Sequence, residues 1–316
     1  MASDDAIRAT NDEASMCKRF AVQQGYWNDP YIKYFIRSSD RKPPDINRGY
    51  FARVKGVHCL LNQFLQATKC KCQVVSLGAG YDTTYWNLQE SNMQPERYIE
   101  MDFENVTSHK CHFIKSRKPL LEKIATKDGE IRFSKTDLHA DNYHIVAVDL
   151  RNLIEVETKL KESGFDNDIP TIFIAECVLV YMESEKSNAI IKWIADNVKT
   201  AYFVNYEQVN MGDRFGHVML DNLRSRQCGL PGTDVCQTID TQQNRFTSQG
   251  WTSAEAWDMN TVYSNLPQKE IQRIEKLEFL DERESFEQLL HHYCLCWAYI
   301  DGAGVGLENI SVVNAT

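Results

Sequence analysis

Short apolar, β-branched runs alternate with amphipathic helical stretches from Cys72 onward, and this alternation constrains the fold more than any other feature of the chain. Strands of a parallel sheet are buried on both faces, so they read as continuous apolar runs separated by helices. The pattern therefore predicts an α/β fold with a doubly wound, mainly parallel, Rossmann-like sheet of seven strands. Residues 274–280 and 292–299 have no obvious crossover helix between them and are predicted to pair as an antiparallel edge. The five parallel strands are predicted at residues 73–77, 97–101, 145–148, 171–175 and 201–205.

The segments around this sheet give the predicted domain organisation. Residues 1–13 are polar and acidic and are predicted to form a disordered tail, followed by a single domain over residues 14–316. Residues 14–70 carry apolar positions at helical spacing, interrupted by prolines, and predict an N-terminal helical cap. Residues 208–250 are polar, helix-prone and too long for an ordinary loop, so they predict an inserted helical lid.

Composition bears on the possible partners. The 316-residue chain has a formal net charge of −9, which gives no electrostatic reason to bind nucleic acid or an anionic membrane, whereas a basic peptide or a small molecule fits better. No stretch approaches the roughly 18 apolar residues of a spanning helix, and the polar N-terminus lacks the apolar core of a secretion signal. We therefore expect a cytoplasmic location, to which the nucleus can be added. The ten cysteines are expected to be reduced thiols, and because one residue separates Cys70 from Cys72, no metal site is predicted.

A glycine turn follows the first predicted strand. Residues 74–77 form a buried run that leads into Gly78 and Gly80, and glycines at that point let the backbone approach a ligand closely. A tight turn without a ligand is the alternative. A dinucleotide fingerprint needs a third glycine at position 83, where this chain has Thr83, so a pyrophosphate-binding dehydrogenase is disfavoured. A nucleoside cofactor without phosphates fits better.

Acidic residues follow the next two strands at the same edge of the sheet. Asp102 ends the second strand, where an acid can hydrogen-bond to a ribose diol. Glu100 points the same way, but Asp102 lies nearer the mouth of the strand, and an exposed strand-end acid is the alternative. Asp149 follows the third strand, and we expect it to accept from an adenine amine while the Leu150 amide donates to a ring nitrogen.

Glu176 is a single carboxylate inside an otherwise almost wholly apolar run, residues 171–181. An unpaired buried carboxylate costs roughly several kcal/mol unless a cation or a donor meets it. The sulfonium or ammonium of a cofactor would serve, and a structural ion pair with an arginine is the alternative. Because the strand ends meet at one edge, the glycine turn and the three acids Asp102, Asp149 and Glu176 together predict one pocket.

Five segments together carry a resemblance to a known family: CKRF at 17–20, NRGYFAR at 47–53, LGAG and DTT between 77 and 84, AECVLVYM at 175–182 and NYEQVNMGD at 205–213. Through these segments the chain resembles the leucine carboxyl methyltransferase family, from about residue 14 to residue 297. The resemblance implies a methyltransferase domain that uses S-adenosyl-L-methionine and releases S-adenosyl-L-homocysteine. It also implies the acceptor, which is the α-carboxylate of the C-terminal leucine of the protein phosphatase 2A catalytic subunit, and we expect the enzyme to be a monomer. The cofactor contacts that it implies are Lys18, Arg53, Gly78, Asp102, Asp149, Leu150 and Glu176, to which the glycine turn adds Gly80.

The chemistry of such a transfer places few demands on the protein. A carboxylate is already a nucleophile at neutral pH, since its ordinary pKa is near 3.5, and a sulfonium methyl group is already activated. No general base is therefore required, and direct in-line displacement by alignment of the two groups is the expected mechanism. Arg53 is predicted to hold either the cofactor carboxylate or the incoming leucine carboxylate. Tyr181 and Tyr206 follow neighbouring strands and are predicted to donate to the acceptor.

Several hypotheses compete for the identity of the substrate. Glu207, Asp213 and Arg214, in or beside the lid segment, are expected to recognise the protein substrate, through its C-terminal tail or also its folded surface. A related carboxyl methyltransferase acts on a modified tRNA base and carries an extra C-terminal repeat domain, but the acidic balance and a chain that stops at Thr316 favour a protein substrate. A cofactor-binding or phosphatase-binding chaperone without turnover is the alternative from another class.

Overall fold

The computed structural model describes residues 4–37, 40–124 and 130–312. Within these ranges the strands are β1 (Gln73–Leu77), β2 (Arg97–Asp102), β3 (Arg132–Phe133), β4 (Leu138–His139), β5 (Tyr143–Ala147), β6 (Thr171–Glu176), β7 (Thr200–Gln208), β8 (Ser253–Asp258) and β9 (Tyr293–Asp301). The α-helices are α1 (Asp4–Gln23), α2 (Pro44–Ala67), α3 (Thr84–Glu90), α4 (Glu104–Ser116), α5 (Lys118–Leu121), α6 (Leu153–Glu162), α7 (Ser184–Asn197), α8 (Arg214–Ser225), α9 (Ile239–Thr247), α10 (Met259–Asn265), α11 (Gln268–Glu275) and α12 (Arg283–His291). Short 3-10 helices lie at Ile32–Tyr34, Leu179–Tyr181, Pro231–Val235 and Leu307–Asn309.

All nine strands form one sheet in the order β3-β4-β5-β2-β1-β6-β7-β9-β8. The five central strands, β5, β2, β1, β6 and β7, run parallel, while β9 and β8 run antiparallel at one edge. The predicted α/β class with a mainly parallel sheet is confirmed. The two additional strands β3 and β4 have two residues each, which is too short to leave a periodic pattern in the sequence.

One predicted strand is wrong. Residues 274–280 contribute to the end of α11 and the turn that follows it, and the antiparallel partner of β9 is β8 instead. Ile271 and Ile274 are both buried, and their three-residue spacing places them on one face of a helix. The strand character of this run is therefore a weaker indicator than the helical spacing of these two isoleucines.

Alternate residues of the central strands pack on opposite faces of the sheet, as doubly wound strands require. Val74 belongs to the core on the face that packs against Phe64 of α2, and Val75 belongs to the core on the other face, with Ile191 of α7. The chain passes from β1 outward to β2 and β5, and then returns to β6 and β7 on the other side of β1. A crevice therefore opens at the carboxyl ends of β1 and β6, where ligands bind in sheets of this kind.

Helix α1 corrects the prediction of a disordered tail over residues 1–13, of which residues 1–3 lie outside the described part of the chain. Residues 4–13 form the first half of α1. Asp4 pairs with Arg151 at 2.9 Å, and the Arg8 guanidinium lies 5.0 Å from the centre of the Phe103 ring. These tertiary contacts order a polar segment whose sequence has no apolar periodicity to reveal it.

The predicted lid, residues 208–250, divides into two parts. Helix α8 begins after Asp213, whose carboxylate accepts from the Gly216 N–H at 2.7 Å and so caps the helix. Helix α9 is anchored to the body of the protein because Phe246 is fully buried in the core beneath β7. Only α8 is therefore placed to cover a site.

Among the described residues, no helix combines the length and the apolar composition that a membrane-spanning segment needs.

Candidate active site

A cavity of about 470 Å³ opens at the carboxyl ends of β1, β2, β5 and β6. Side chains of α1, α2, α8 and α12 complete its lining. This volume lies in the range of small-molecule sites. The predicted cofactor-binding and catalytic residues all line this cavity. They are Lys18, Arg53, Gly78, Gly80, Asp102, Asp149, Leu150, Glu176, Tyr181 and Tyr206.

The turn after β1 needs glycine at two positions. Gly78 and Gly80 have φ values of +64° and +52°, a region of backbone conformation that other residues seldom adopt. A Cβ atom at Gly78 would lie 2.6 Å from Cγ2 of Val178, and one at Gly80 would overlap the side chain of Asn11. The turn is therefore packed so closely against its neighbours that any side chain would displace part of the cavity wall.

Asp102 at the end of β2 is held by the same turn. One carboxylate oxygen accepts from the Gly80 N–H at 2.7 Å and the other from the Phe103 N–H at 2.7 Å. Burial raises the pKa of Asp102, and these two backbone donors oppose the rise. Each carboxylate oxygen has two acceptor positions, so Asp102 keeps capacity to accept from a diol.

Asp149 lies beyond the end of β5 and already has a partner. Its two oxygens accept from the Arg151 guanidinium at 2.7 to 3.1 Å, and Arg151 also reaches Asp4 of α1. Burial would raise the pKa of Asp149, but the Arg151 contacts outweigh it and lower the pKa. The next residue, Leu150, has no acceptor for its N–H within residues 4–37, 40–124 and 130–312. The carboxylate is thus fixed in orientation beside a free donor, as an adenine edge requires.

Glu176 at the end of β6 is paired by two cations from the N-terminal helices. Its Oε2 lies 2.6 Å from Arg53 Nε and 3.3 Å from Lys18 Nζ, and Arg53 also donates to its backbone carbonyl at 3.2 Å. Burial would raise the pKa of Glu176, but Lys18 and Arg53 together lower it to about 2. The ion pair that the sequence left as the alternative is therefore present, and its members are two of the residues predicted to bind the cofactor. Two cations against one carboxylate leave one positive charge in excess at this end of the cavity.

Aromatic rings fix the Arg53 guanidinium. It lies 4.7 Å from the ring centre of Tyr206 and 5.6 Å from that of Tyr50, and the Tyr206 ring stacks on Tyr293 with centroids 5.4 Å apart. Although burial alone would lower the pKa of Arg53, Glu176 raises it well above its ordinary value. The guanidinium is therefore charged at neutral pH, and it presents a rigid planar donor set.

The groups beside this ion pair stay protonated. Burial raises the pKa of Tyr181 and of Tyr206 well above the ordinary value of 10.0, so both hydroxyls can donate a hydrogen bond at neutral pH but cannot act as bases. Burial also raises the pKa of Cys177 to about 12, which removes the thiolate as a competing nucleophile. Cys177 has a φ of +55°, a left-handed conformation that marks a constrained turn.

The sequence missed several residues that complete the cavity. Asn11 of α1 accepts from the Tyr81 N–H at 2.9 Å and so ties the first helix to the glycine turn. His58 of α2 also lines the cavity, and burial lowers its pKa below 6.5. Leu223 and Met219 of α8 supply an apolar wall. Each is an isolated side chain on a helix, so no local motif marks it, and only the tertiary fold brings it to the site.

The predicted recognition residues of the lid do not form one surface. Glu207 is fully buried on β7 and cannot contact a protein substrate, so that prediction is wrong. Asp213 is engaged as the cap of α8, and its Oδ1 lies 2.8 Å from His292 Nε2. Arg214 is exposed. Among the described residues, no three His, Cys, Asp or Glu side chains are arranged to hold a metal ion.

The donor set of this cavity suits a charged nucleoside without phosphates. Carboxylates stand at the ends of β2 and β5, where a phosphate would be repelled, and a cationic cluster paired with one carboxylate stands at the end of β6. A ribosyl base fits between the carboxylates at the ends of β2 and β5, and a zwitterionic amino-acid group fits the cationic cluster at the end of β6. The fold and this cavity fit a methyltransferase that uses S-adenosylmethionine.

Comparison with known proteins narrows the class. The family model described as leucine carboxyl methyltransferase matches residues 6–195. Leucine carboxyl methyltransferase 1 of Bos taurus is 49% identical over 312 residues, covering 98% of this chain and 94% of the relative. Leucine carboxyl methyltransferase 1 of Caenorhabditis elegans is 42% identical, covering 94% of this chain and 92% of the relative. The chain belongs to the leucine carboxyl methyltransferase family and is a carboxyl methyltransferase.

A second kind of relative is more distant. tRNA wybutosine-synthesizing protein 4 of Homo sapiens is 33% identical over 91% of this chain, and the match covers 43% of that protein. The bovine protein therefore resembles this chain both in identity and over nearly its whole length, whereas the tRNA-modifying relative has more than half of its length outside the match.

Proposed function

We propose that this protein transfers a methyl group from S-adenosyl-L-methionine to the α-carboxylate of the C-terminal leucine of the protein phosphatase 2A catalytic subunit. The observation that carries the proposal is the surplus positive charge made by Lys18 and Arg53 around the single carboxylate Glu176, which matches the zwitterionic end of the cofactor. The protonated hydroxyls of Tyr181 and Tyr206 beside it are then available to the acceptor, and a chain terminus is the carboxylate that can enter a cavity most deeply. Close relatives bear the name leucine carboxyl methyltransferase.

The chemistry of the lining groups supports one position for the cofactor. Asp102 would accept from the ribose hydroxyls, while Asp149 and the Leu150 N–H would meet the adenine edge. Glu176 would accept from the cofactor ammonium, and Lys18 and Arg53 would hold its carboxylate. When bound, S-adenosylmethionine supplies a methyl group that is already activated by the sulfonium charge. The protein residues then have to orient the two reactants.

The acceptor would enter from the side of α8 and α12. Met219 and Leu223 of α8 and Leu290 of α12 line that side of the cavity and offer an apolar wall to a leucine side chain. The hydroxyls of Tyr181 and Tyr206 would donate to the acceptor carboxylate, because both remain protonated at neutral pH. The carboxylate is ionised without assistance from a base.

The catalytic contribution of the protein is then alignment for an in-line displacement and exclusion of water. Effects of this kind can lower a barrier by about 7 to 11 kcal/mol. The ion pair of Arg53 with Glu176, braced by Tyr206, keeps one reactant fixed. The raised pKa of the Cys177 thiol leaves the acceptor carboxylate without a competing thiolate beside it.

The direct test uses S-adenosylmethionine labelled in its methyl group. The protein is incubated with phosphatase catalytic subunit that ends in leucine and, in parallel, with subunit from which this leucine has been removed. We expect label only on the intact subunit, released as methanol by mild alkali because a methyl ester is labile. Equal labelling of both forms, or cofactor binding without any transfer, would contradict the proposal.

A further inference from the structure

A fully buried carboxylate behind the acceptor side of the cavity has no place in the chemistry described so far. Glu207 lies on β7, and one of its oxygens accepts from the Val180 N–H at 2.5 Å. Val180 is the middle residue of the 3-10 turn Leu179–Tyr181, and Tyr181 and the following Met182 line the cavity. We propose that Glu207 is a positioning residue that sets the acceptor side of the site by holding this turn, an inference that rests on the proposed function of Tyr181.

The second oxygen of Glu207 is fixed by four donors. Arg245 and Gln242 of α9 donate to it at 3.0 and 3.3 Å, Asn205 of β7 at 3.2 Å, and the Cys236 thiol at 3.2 Å. None of these donors lines the cavity, and the carboxylate cannot rotate without breaking several bonds. The oxygen that faces Val180 is therefore held in place from behind.

Arg245 is itself immobilised by α7. Its guanidinium donates to Ser187 Oγ at 2.6 Å and to Asn188 Oδ1 at 3.0 Å, and both Arg245 and Glu207 are almost completely buried. The ion pair thus connects α7, α9 and β7 to the turn that carries Tyr181. A buried pair of this kind seldom adds to stability on its own account, which favours a role in fixing geometry.

The turn is anchored to β7 at two points. Its first anchor is the Cys177 N–H, which donates to the Tyr206 carbonyl at 2.6 Å, and its second is the Val180 N–H on Glu207. On the opposite side, a Cβ atom at Gly232 would lie 2.9 Å from the Met182 carbonyl oxygen. Tyr206 and Glu207 are consecutive residues of β7, so this strand sets both ends of the turn. Without the second anchor, the buried Val180 N–H would have to find another acceptor and the turn would shift.

The cofactor side of the cavity is held by a separate buried pair, which gives a matched control. Lys110 of α4 is paired with Glu100 of β2, both almost completely buried, and donates to the Asp82 carbonyl in the glycine turn at 2.8 Å. Neither pair lines the cavity. Each is linked to a different wall, so their removal should affect different substrates.

The test compares two double variants that both lack the buried ion pair. Glu207→Gln with Arg245→Met keeps an acceptor for the Val180 N–H, whereas Glu207→Leu with Arg245→Met does not. We expect KM for the phosphatase to rise roughly tenfold in the leucine variant and to change by no more than about threefold in the glutamine variant. The cofactor Kd should change by no more than about twofold in both. The control Glu100→Gln with Lys110→Met, which removes the other buried ion pair, should show the reverse, with a weaker cofactor Kd and an unchanged KM.

The outcomes separate this inference from the proposed function. An equal KM in the two double variants, or a cofactor Kd that rises in parallel with KM, would overturn the positioning role while transfer by the wild-type chain persists. Absence of transfer by the wild-type chain would overturn the proposed function and the positioning role together. If the leucine variant does not fold, Glu207→Asp, which keeps the charge but shortens the side chain, should raise KM with the cofactor Kd unchanged. An unchanged KM in that variant would equally refute the inference.

Discussion

Replacement of Arg53 by methionine is the perturbation that bears most directly on how the cofactor is held. Methionine keeps much of the length and the apolar stem of the side chain but removes the guanidinium. The variant loses the 2.6 Å contact with Glu176, the 3.2 Å bond to the Glu176 carbonyl and the position above the Tyr206 ring. Lys18 remains as the second cation near Glu176.

The size of the effect follows from these contacts. Hydrogen bonds to charged groups contribute about 1.5 to 3 kcal/mol each, and a cofactor carboxylate that keeps Lys18 should lose about 2 to 3 kcal/mol of binding free energy. This loss corresponds to a roughly 30- to 150-fold rise in the Kd for S-adenosylmethionine. Because Lys18 is a flexible point charge, it cannot replace the planar, bidentate grip of the arginine.

Isothermal titration calorimetry on the purified variant measures this Kd directly. Arg48→Met is the matched control, since Arg48 lies on the same helix, is buried and donates to a backbone carbonyl, that of Glu278, at 2.9 Å, but does not line the cavity. The control should bind the cofactor with wild-type affinity. An unchanged Kd in the Arg53 variant, accompanied by a large rise in KM for the phosphatase, would refute the assignment and place the guanidinium on the acceptor carboxylate instead.

Three further predictions concern the turn, the pH profile and acid stability. Gly78→Val should abolish cofactor binding because the valine side chain would overlap the cavity wall. The control is Gly304→Val, where the backbone has a similar φ of +65° but a Cβ atom would meet nothing within 4 Å, so that this change should lower stability only. Equal cofactor binding by both variants would exclude a close approach of the cofactor to the turn. Between pH 7 and 9, kcat should vary by no more than about twofold. The reason is that neither neighbouring group loses its proton in this range, since the pKa of Cys177 is about 12 and that of Tyr206 is above its ordinary value. A bell-shaped pH profile centred in this range would reveal an obligatory base. The pKa of Glu176 is about 2, against 4.5 ordinarily, so its ionised carboxylate stabilises the folded protein by about 3 kcal/mol above pH 4.5, and this stabilisation is lost as the pH falls toward 2. Urea unfolding of Glu176→Gln should therefore show a loss of unfolding free energy at pH 7 and a smaller loss at pH 3. A loss that does not depend on pH would contradict the ion pair.

The parallel centre of the sheet and the polar strand ends were predictable from the sequence because both leave local patterns. Continuous apolar runs mark doubly buried strands, and β1 was predicted with the bounds that the structure gives it. Asp102 and Glu176 stand at strand ends, so their convergence follows from parallel topology alone. The sequence also showed that Glu176 needed a partner.

The cations that pair with Glu176 could not be predicted from local sequence patterns. Lys18 and Arg53 lie on two helices that precede the sheet, and more than 120 residues separate each from Glu176. No local periodicity encodes a contact at that distance, and the resemblance to a family supplied these residues instead. The same reason explains why residues 4–13 were predicted to be disordered, since their order depends on Arg151 and Phe103 far along the chain. Glu207 was misassigned because a charged residue after an apolar strand reads as exposed unless its buried partners are known.

The proposed acceptor is a terminal carboxylate, and mass spectrometry can locate the transferred methyl group on it. The C-terminal proteolytic fragment of the phosphatase catalytic subunit is analysed after incubation with this protein and S-adenosylmethionine. We expect a gain of one methyl group, located by fragmentation on the terminal leucine and removed by mild alkali. A methyl group on any other residue, or one that survives alkali, would contradict the proposal.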